Sequence, residues 1–187
     1  MVPLTAEQAG SQSEQEAEAG FETLFQEHWA RVFGVIYRLV GDADEADDLA
    51  IETFLRLYDH RSTVEGEVGG WLYRVATNLG FNALRARRRR WRYESEAGRL
   101  SIEEYPVGDP EDELEKDQSR QLVRNALAEM KPRSAQLLIL RYSGLSYAEI
   151  AAVLDVAPGS VGTLLARAEA EFEACYQTLE GESHASR

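Results

Sequence analysis

Apolar residues recur between positions 21 and 39 at steps of three and four: Phe21, Leu24, Phe25, Trp29, Val32, Phe33, Ile36 and Leu39. That spacing lines one face of an amphipathic helix. Gly41-Asp42 ends it, and Asp44 can cap a second helix carrying Leu49, Phe54, Leu55 and Tyr58. A glycine-rich break at Gly66, Gly69 and Gly70 precedes a third helical stretch, Trp71 to about Trp91. Further on, four more helical patterns cover about 113–129, 132–142, 146–154 and 160–174. The third of these opens with Ser146-Tyr-Ala-Glu149, a capping box in which Ser and Glu each satisfy a backbone N–H. Asp155-Val-Ala-Pro-Gly159 separates it from the last pattern, which Ser160 can cap. Ile150, Val153, Leu154, Val156, Val161, Leu165 and Ala168 would face inward between two short helices crossing steeply. That is the helix-turn-helix layout; on pattern alone an ordinary small helical bundle remains the alternative. Strand alternation of useful length is absent, so the expected fold is all-α, with two helical domains.

The polar stretches set the boundaries. Residues 1–20 are acidic, with little to bury, and read as a disordered tail. The helical domains span 21–93 and 118–176, joined by a flexible acidic linker at 94–117; residues 177–187 form a C-terminal tail. Around that linker, positions 94–119 carry a net charge of −8, and Pro106, Gly108 and Pro110 interrupt regular structure.

Cys175 is the single cysteine, so there is no intrachain disulfide and no CxxC metal knuckle. His28, His60 and His184 lack the spacing of a metal or catalytic pair. Phosphate-loop, dinucleotide, zincin and nucleophile-elbow motifs do not occur. Neither enzymatic activity nor a metal or cofactor is expected. With no basic-then-apolar leader and no apolar run near the ~18 residues a span requires, the expectation is a cytoplasmic protein without membrane insertion.

Charge adds the sharpest feature. The chain has a net charge of −13, yet six arginines fall within eight residues: Arg85, Arg87, Arg88, Arg89, Arg90 and Arg92. The repulsive field of the whole reaches only about a Debye length, roughly 8–10 Å in cell-like salt. Closer in, each guanidinium presents a fixed fork of donors to phosphate. Trp71, Tyr73, Asn78, Phe81 and Asn82 precede the block, residue types that stack on or hydrogen-bond to bases. Taken alone, such a block is equally a solvated charge run.

Asp42-Ala-Asp-Glu-Ala-Asp-Asp-Leu49 through Glu52-Thr-Phe-Leu-Arg-Leu57, then Trp71-Leu-Tyr-Arg-Val-Ala-Thr-Asn78 through the arginines, resemble the first conserved domain of sigma-70 family RNA polymerase sigma factors. Leu140-Arg-Tyr142, Leu145-Ser-Tyr-Ala-Glu-Ile-Ala151 and Ser160-Val161 through Arg167-Ala168 resemble the second. The short, two-domain extracytoplasmic-function (ECF) group is the nearest match in layout. The resemblance implies a region 2-like domain at 21–93 and a region 4-like helix-turn-helix domain at 118–176. It also implies a factor that binds core polymerase and directs promoter recognition, −10 melting and initiation; the alternative is a stand-alone helix-turn-helix regulator. Asp47, Asp48, Leu49, Glu52, Phe54 and Leu55 would dock on the polymerase clamp helices, with core packing the competing role for Leu49 and Phe54. Arg74, Asn78, Asn82, Arg85, Arg88 and Arg89 would bind the −10 element, Asn78 reading a base and the arginines holding phosphates. Trp71 reads as core rather than as a stacking platform. Ser160, Thr163 and Arg167 would meet the −35 element. Implied partners are core RNA polymerase, through clamp helices and flap, promoter DNA and an anti-sigma factor, with the free chain a monomer.

Departures from the family pattern are Ile51 for a usual Gln, Asn82 for a frequent Asp, and Gly162 and Leu164 where Lys and Arg are usual. Positions 159–174 carry a net charge of −2, Arg167 against Glu169, Glu171 and Glu173. Because phosphate neutralisation dominates non-specific DNA affinity, weak −35 contact is expected, with Arg133 and Arg141 as outlying sources of positive charge. The acidic linker, folded back on the arginines, would screen them from DNA.

Overall fold

The computed structural model describes residues 6–60, 68–96 and 110–185. Seven α-helices run in the order α1 (Ala6–Val40), α2 (Ala43–His60), α3 (Val68–Glu96), α4 (Pro110–Glu129), α5 (Pro132–Tyr142), α6 (Tyr147–Leu154) and α7 (Val161–Ala185). A 3₁₀ turn, Pro158–Ser160, joins α6 to α7. The all-α, two-domain expectation holds among the described residues.

Helices α1 to α3 form the first lobe. Val32, Val35, Ile36 and Leu39 of α1 meet Ala46, Ala50 and Leu57 of α2 and Leu72, Ala76 and Leu84 of α3, all buried. Phe54 joins this core at 2% exposure, its ring 4.8 Å from that of Phe25 and 5.8 Å from that of Trp29. The two buried threonines cost little, because each hydroxyl donates to a carbonyl one turn back, Thr53 to Leu49 and Thr77 to Tyr73, both at 2.8 Å. Two glycines fix close approaches. A Cβ on Gly80 would lie 2.7 Å from Leu39 Cδ1, so only glycine lets α3 seat this tightly on α1. Gly41 adopts φ +73° to close α1, and the Arg124 guanidinium of α4 occupies the space its missing side chain leaves.

Helices α4 to α7 form the second lobe around Leu137, Leu140, Leu145, Ile150, Val153, Val161 and Leu165. The capping box forms as the sequence implies: Ser146 Oγ accepts from the Glu149 N–H, and Glu149 Oε2 accepts from the Ser146 N–H at 2.7 Å. Asp155 then takes the left-handed conformation, φ 53°, and the chain bends by 107° between α6 and α7. That angle lies within the helix-turn-helix range of about 90–120°.

Three segments differ from the sequence expectation. Residues 6–20, expected to be disordered, continue α1. Their Ala, Glu and Gln content gives little to bury but high helix propensity, and the packed part of α1 supplies the nucleus. The expected C-terminal tail at 177–187 instead extends α7 to Ala185, for the same compositional reason. The linker shortens from both sides, because α3 runs on to Glu96 and α4 begins at Pro110, a favoured first helical residue. Its centre, 97–109, lies outside the described residues, as does the proposed folding-back of the linker on the arginines.

The lobes are not held apart. Helix α3 packs along α4, α5 and α6, and α1 touches α5.

Candidate nucleic-acid interface

On α3, Arg74, Asn78, Asn82, Arg85, Arg88 and Arg89 fall at steps of three and four, with one single step, and so occupy one contiguous arc of the helix. The opposite side, with Leu72 and Ala76, faces the first-lobe core, and buried Leu84 borders the arc next to Arg88. Tyr73 and Phe81 are buried, and Trp71 packs half-buried against the same core. None of these three aromatics is a free stacking platform.

The second lobe sits on one side of the arc. Arg74 Nε donates to the Val153 carbonyl at 2.8 Å and Nη2 to the Ala152 carbonyl at 3.2 Å. Gln136 Nε2 donates to Asn78 Oδ1 at 2.6 Å. Arg88 donates to the Asn125 carbonyl and pairs with Glu129 at 2.7 Å, its side chain 16% exposed. Arg85 lies over the Phe81 ring, 5.5 Å from its centroid, with Nη2 buried. Asn82 and Arg89 are exposed, as is Arg90. Arg87, also in the block, pairs with Glu45 and ties α3 to α2 within the first lobe.

On α2, Asp47 and Asp48 are exposed, Glu52 pairs with Arg56 at 2.6 Å, and Leu49 packs half-buried. Leu55, 58% exposed, is flanked at helical spacing by exposed Ile51 and Tyr58. This outward apolar strip is bordered by carboxylates. Phe54 is not part of it, since it lies in the core: α2 turns it towards Phe25 and Trp29.

In the second lobe, Ser160, Thr163 and Arg167 are all exposed and share one face of the α7 entrance. Continuing that face gives Ala170 and Ala174, so Glu169, Glu171 and Glu173 flank the stripe rather than lie on it. Glu171 points inward and caps α5: its carboxylate accepts from the Lys131 N–H at 2.7 Å and from Ser134 Oγ at 2.8 Å. Burial opposes its ionisation, but these donors hold its carboxyl below the usual carboxylate value. Arg133 is similarly committed, donating to the Leu154 carbonyl at the end of α6 at 2.8 Å. Arg141 is exposed, with its guanidinium 5.4 Å from the Tyr147 ring centroid.

The Sigma-70 region 2 family matches residues 24–90 and the Sigma-70, region 4 family matches residues 120–172. The RNA polymerase sigma-H factor of Pseudomonas aeruginosa is 30% identical over 85% of this chain and 87% of its own length. The chain belongs to the sigma-70 family. Within it, the ECF RNA polymerase sigma factor SigE of Mycolicibacterium smegmatis is 34% identical over 82% of this chain. The aligned part is 60% of that relative's length. Bacillus subtilis SigW, another ECF factor, is 27% identical over 73% of this chain and 78% of its own length. These relatives place the chain in the ECF group of sigma factors, transcription initiation proteins rather than enzymes. Among solved structures, the fold resembles CnrH in complex with the cytosolic domain of CnrY (TM-score 0.56, 16% identity, 90% of this chain and 94% of that one). It also resembles the sigma factor RpoE in complex with the anti-sigma factor NepR from Bartonella quintana (TM-score 0.51, 19% identity, 84% and 97%).

In this sigma factor, several residues that shape the interface went unrecognised in the sequence. Gln136, Glu129, Asn125 and the α6 carbonyls come from the second lobe, and no local spacing links them to α3. Arg31 is another: it pairs with Glu149 at 3.4 Å, so α1 touches the capping box of α6. Ile51 and Tyr58 were legible in principle, since they extend Leu55 along one helical face.

Proposed function

We propose that this ECF sigma factor docks on core RNA polymerase through the α2 strip of Ile51, Leu55 and Tyr58 with its bordering acids Asp47, Asp48 and Glu52. An apolar strip provides area to bury, and carboxylates beside it favour a basic partner. In the resulting holoenzyme, working in the cytoplasm, the α3 arc meets the −10 element. Opening a base step costs a few kcal/mol, and a hydrogen-bonding pocket for the extruded base offsets it. Asn78 both donates and accepts, which suits it to discriminate bases; Arg74, Arg85, Arg88 and Arg89 suit phosphates. Ser160, Thr163 and Arg167 meet the −35 element, with Arg141 beside them. The observation that carries this reading is the single arc on α3, which collects an amide reader and four arginines in a chain of net charge −13. The two similar sigma structures are bound to CnrY and NepR, which supports control of this chain by an anti-sigma protein as well.

In vitro transcription with core polymerase on a randomised promoter library tests the reading. Transcription should depend on the added chain, and Asn78→Ala should relax base preference at one −10 position. Duplex binding by the chain alone, with no transcription from any promoter, would replace it with the stand-alone regulator.

A further inference from the structure

The chain turns from α6 towards α7 at a residue in an uncommon conformation. Among the described residues, Asp155 is the one non-glycine with positive φ, at φ 53° and ψ 60°. Its φ and ψ set the rotation between two peptide planes, one carrying the Leu154 carbonyl and the other the Asp155 carbonyl. Arg133 Nη2 donates to both oxygens, at 2.8 Å and 3.4 Å. One guanidinium nitrogen of α5 therefore bridges the two planes whose relative rotation makes the bend. The rest of the turn is lightly packed. Pro158–Ser160 buries no residue, and a Cβ on Gly159 would meet nothing within 4 Å.

The same first turn of α5 holds α7 at a second point. Glu171 lies about 15 Å along α7 from Val161, at a rise of ~1.5 Å per residue. Its carboxylate accepts from the Lys131 N–H at 2.7 Å and from Ser134 Oγ at 2.8 Å. A helix tied at its entrance and again further along has its axis fixed by two points. Burial of Val161, Leu165 and Ala168 holds α7 against the lobe, but apolar contact is non-directional. The hydrogen bonds supply the direction, and all of them lie within the second lobe.

We propose that Arg133, with Glu171 as its counterpart, is a positioning residue for −35 recognition: it fixes the angle at which α7 leaves α6, and so the pose in which Ser160, Thr163 and Arg167 meet the base edges. This rests on the reading that α7 meets the −35 element. Positions 159–174 carry a net charge of −2, so phosphate attraction does little to pull a loosely oriented α7 into register. The orientation has to exist before contact, because a binding constellation tolerates a misplacement of only about 0.5 Å. Arg133 supplies it without touching DNA.

Arg133→Ala in the full chain, assembled with core polymerase, tests the inference on two promoter fragments. Both carry one −10 sequence; one has the −35 sequence that the promoter library selects, the other a scrambled one. The ratio of the two affinities is the −35 preference. Arg133→Ala should lower it by about fivefold, the discrimination lost with one base contact, while affinity for the scrambled fragment and the salt slope stay at wild-type values. Nitroxide labels on Ala148→Cys and Ala174→Cys, with Cys175→Ser, should show a broader α6–α7 distance distribution in the same variant. Ser134→Ala, which removes one Glu171 donor without changing charge, should lower the preference by a smaller factor. Adding Asp155→Gly to Arg133→Ala relieves the left-handed backbone and should restore the melting temperature but not the preference.

Recovery of the preference together with stability would reduce Arg133 to a structural role and overturn the inference. Equal losses on both fragments, with a salt slope shallower by about 0.9, would make Arg133 a phosphate contact and overturn it too. An unchanged preference or an unchanged distance distribution in Arg133→Ala would do the same. In each of these cases the wild-type preference keeps the −35 reading intact. A wild-type holoenzyme that binds both fragments equally would overturn that reading as well.

Discussion

Helix α3 places two of its cations, Arg74 and Arg88, in contact with the second lobe and leaves Arg89 and Arg90 exposed, whereas the outward stripe of α7 lies open and carries one cation, Arg167. Those two α3 guanidiniums find carbonyls and a carboxylate of the same chain as partners. On the proposed assignment, the first lobe carries more of the DNA affinity than the second.

The largest expected effect tests that division directly. In holoenzyme, replacing Arg88 and Arg89 together with Ala should weaken promoter binding by about a hundredfold, taking roughly 1.5 kcal/mol for each lost charge-assisted contact. Arg167→Ala should cost only a few-fold. Filter binding or fluorescence anisotropy on one promoter fragment compares them, and equal losses would erase the proposed asymmetry.

A middle-sized effect comes from giving α7 what it lacks. A Cβ on Gly162 would lie 3.7 Å from Tyr147 Cε2, an ordinary contact, so a side chain fits there. Gly162→Lys should add up to about 1 kcal/mol of helix propensity and steepen the salt dependence of holoenzyme binding to duplex by about 0.9. Roughly fivefold tighter binding and a stronger requirement for a −35 sequence should follow. An unchanged salt slope would mean that this part of α7 does not approach phosphate.

The local features were legible in the sequence because each is written in a few neighbouring residues. The Ser146–Glu149 capping box, the α6–α7 turn and the buried Ile150, Val153, Val161 and Leu165 follow from spacing and propensity. Propensity also explains the overrun: an Ala/Glu/Gln segment with nothing to bury still continues a helix, as 6–20 do in α1. Phe54 was ambiguous because Phe54 and Leu55 are adjacent apolar residues, and only the seating of α1 decides which one turns inward. The contact between the lobes was not legible. Arg74 to Val153 and Arg88 to Glu129 join residues 79 and 41 positions apart, and a main-chain acceptor such as the Val153 carbonyl leaves no mark in side-chain identity.

The smallest effect separates two kinds of acid on α7. Glu171 caps α5 where Lys131 supplies no side-chain cap of its own, whereas Glu173 is exposed. Because its folded-state carboxyl titrates below the usual value, the Glu171 contribution is present above the unfolded carboxyl pKa of about 4.3 and is lost as pH falls through the lower folded value. Glu171→Ala should therefore cost about 1 kcal/mol near pH 7, in the range of a lost helix cap, or roughly 2–4 °C in melting temperature. The deficit should shrink as both proteins are acidified through pH 4, measured by thermal melts monitored at 222 nm. Glu173→Ala should leave the melting temperature unchanged and tighten holoenzyme binding to duplex by about twofold at low salt, through relief of repulsion that salt screens. If Glu171→Ala instead improved DNA binding without destabilising the fold, Glu171 would act like the exposed Glu169 and Glu173, and the weak charge of this part of α7 would be a property of its whole surface rather than of its exposed carboxylates.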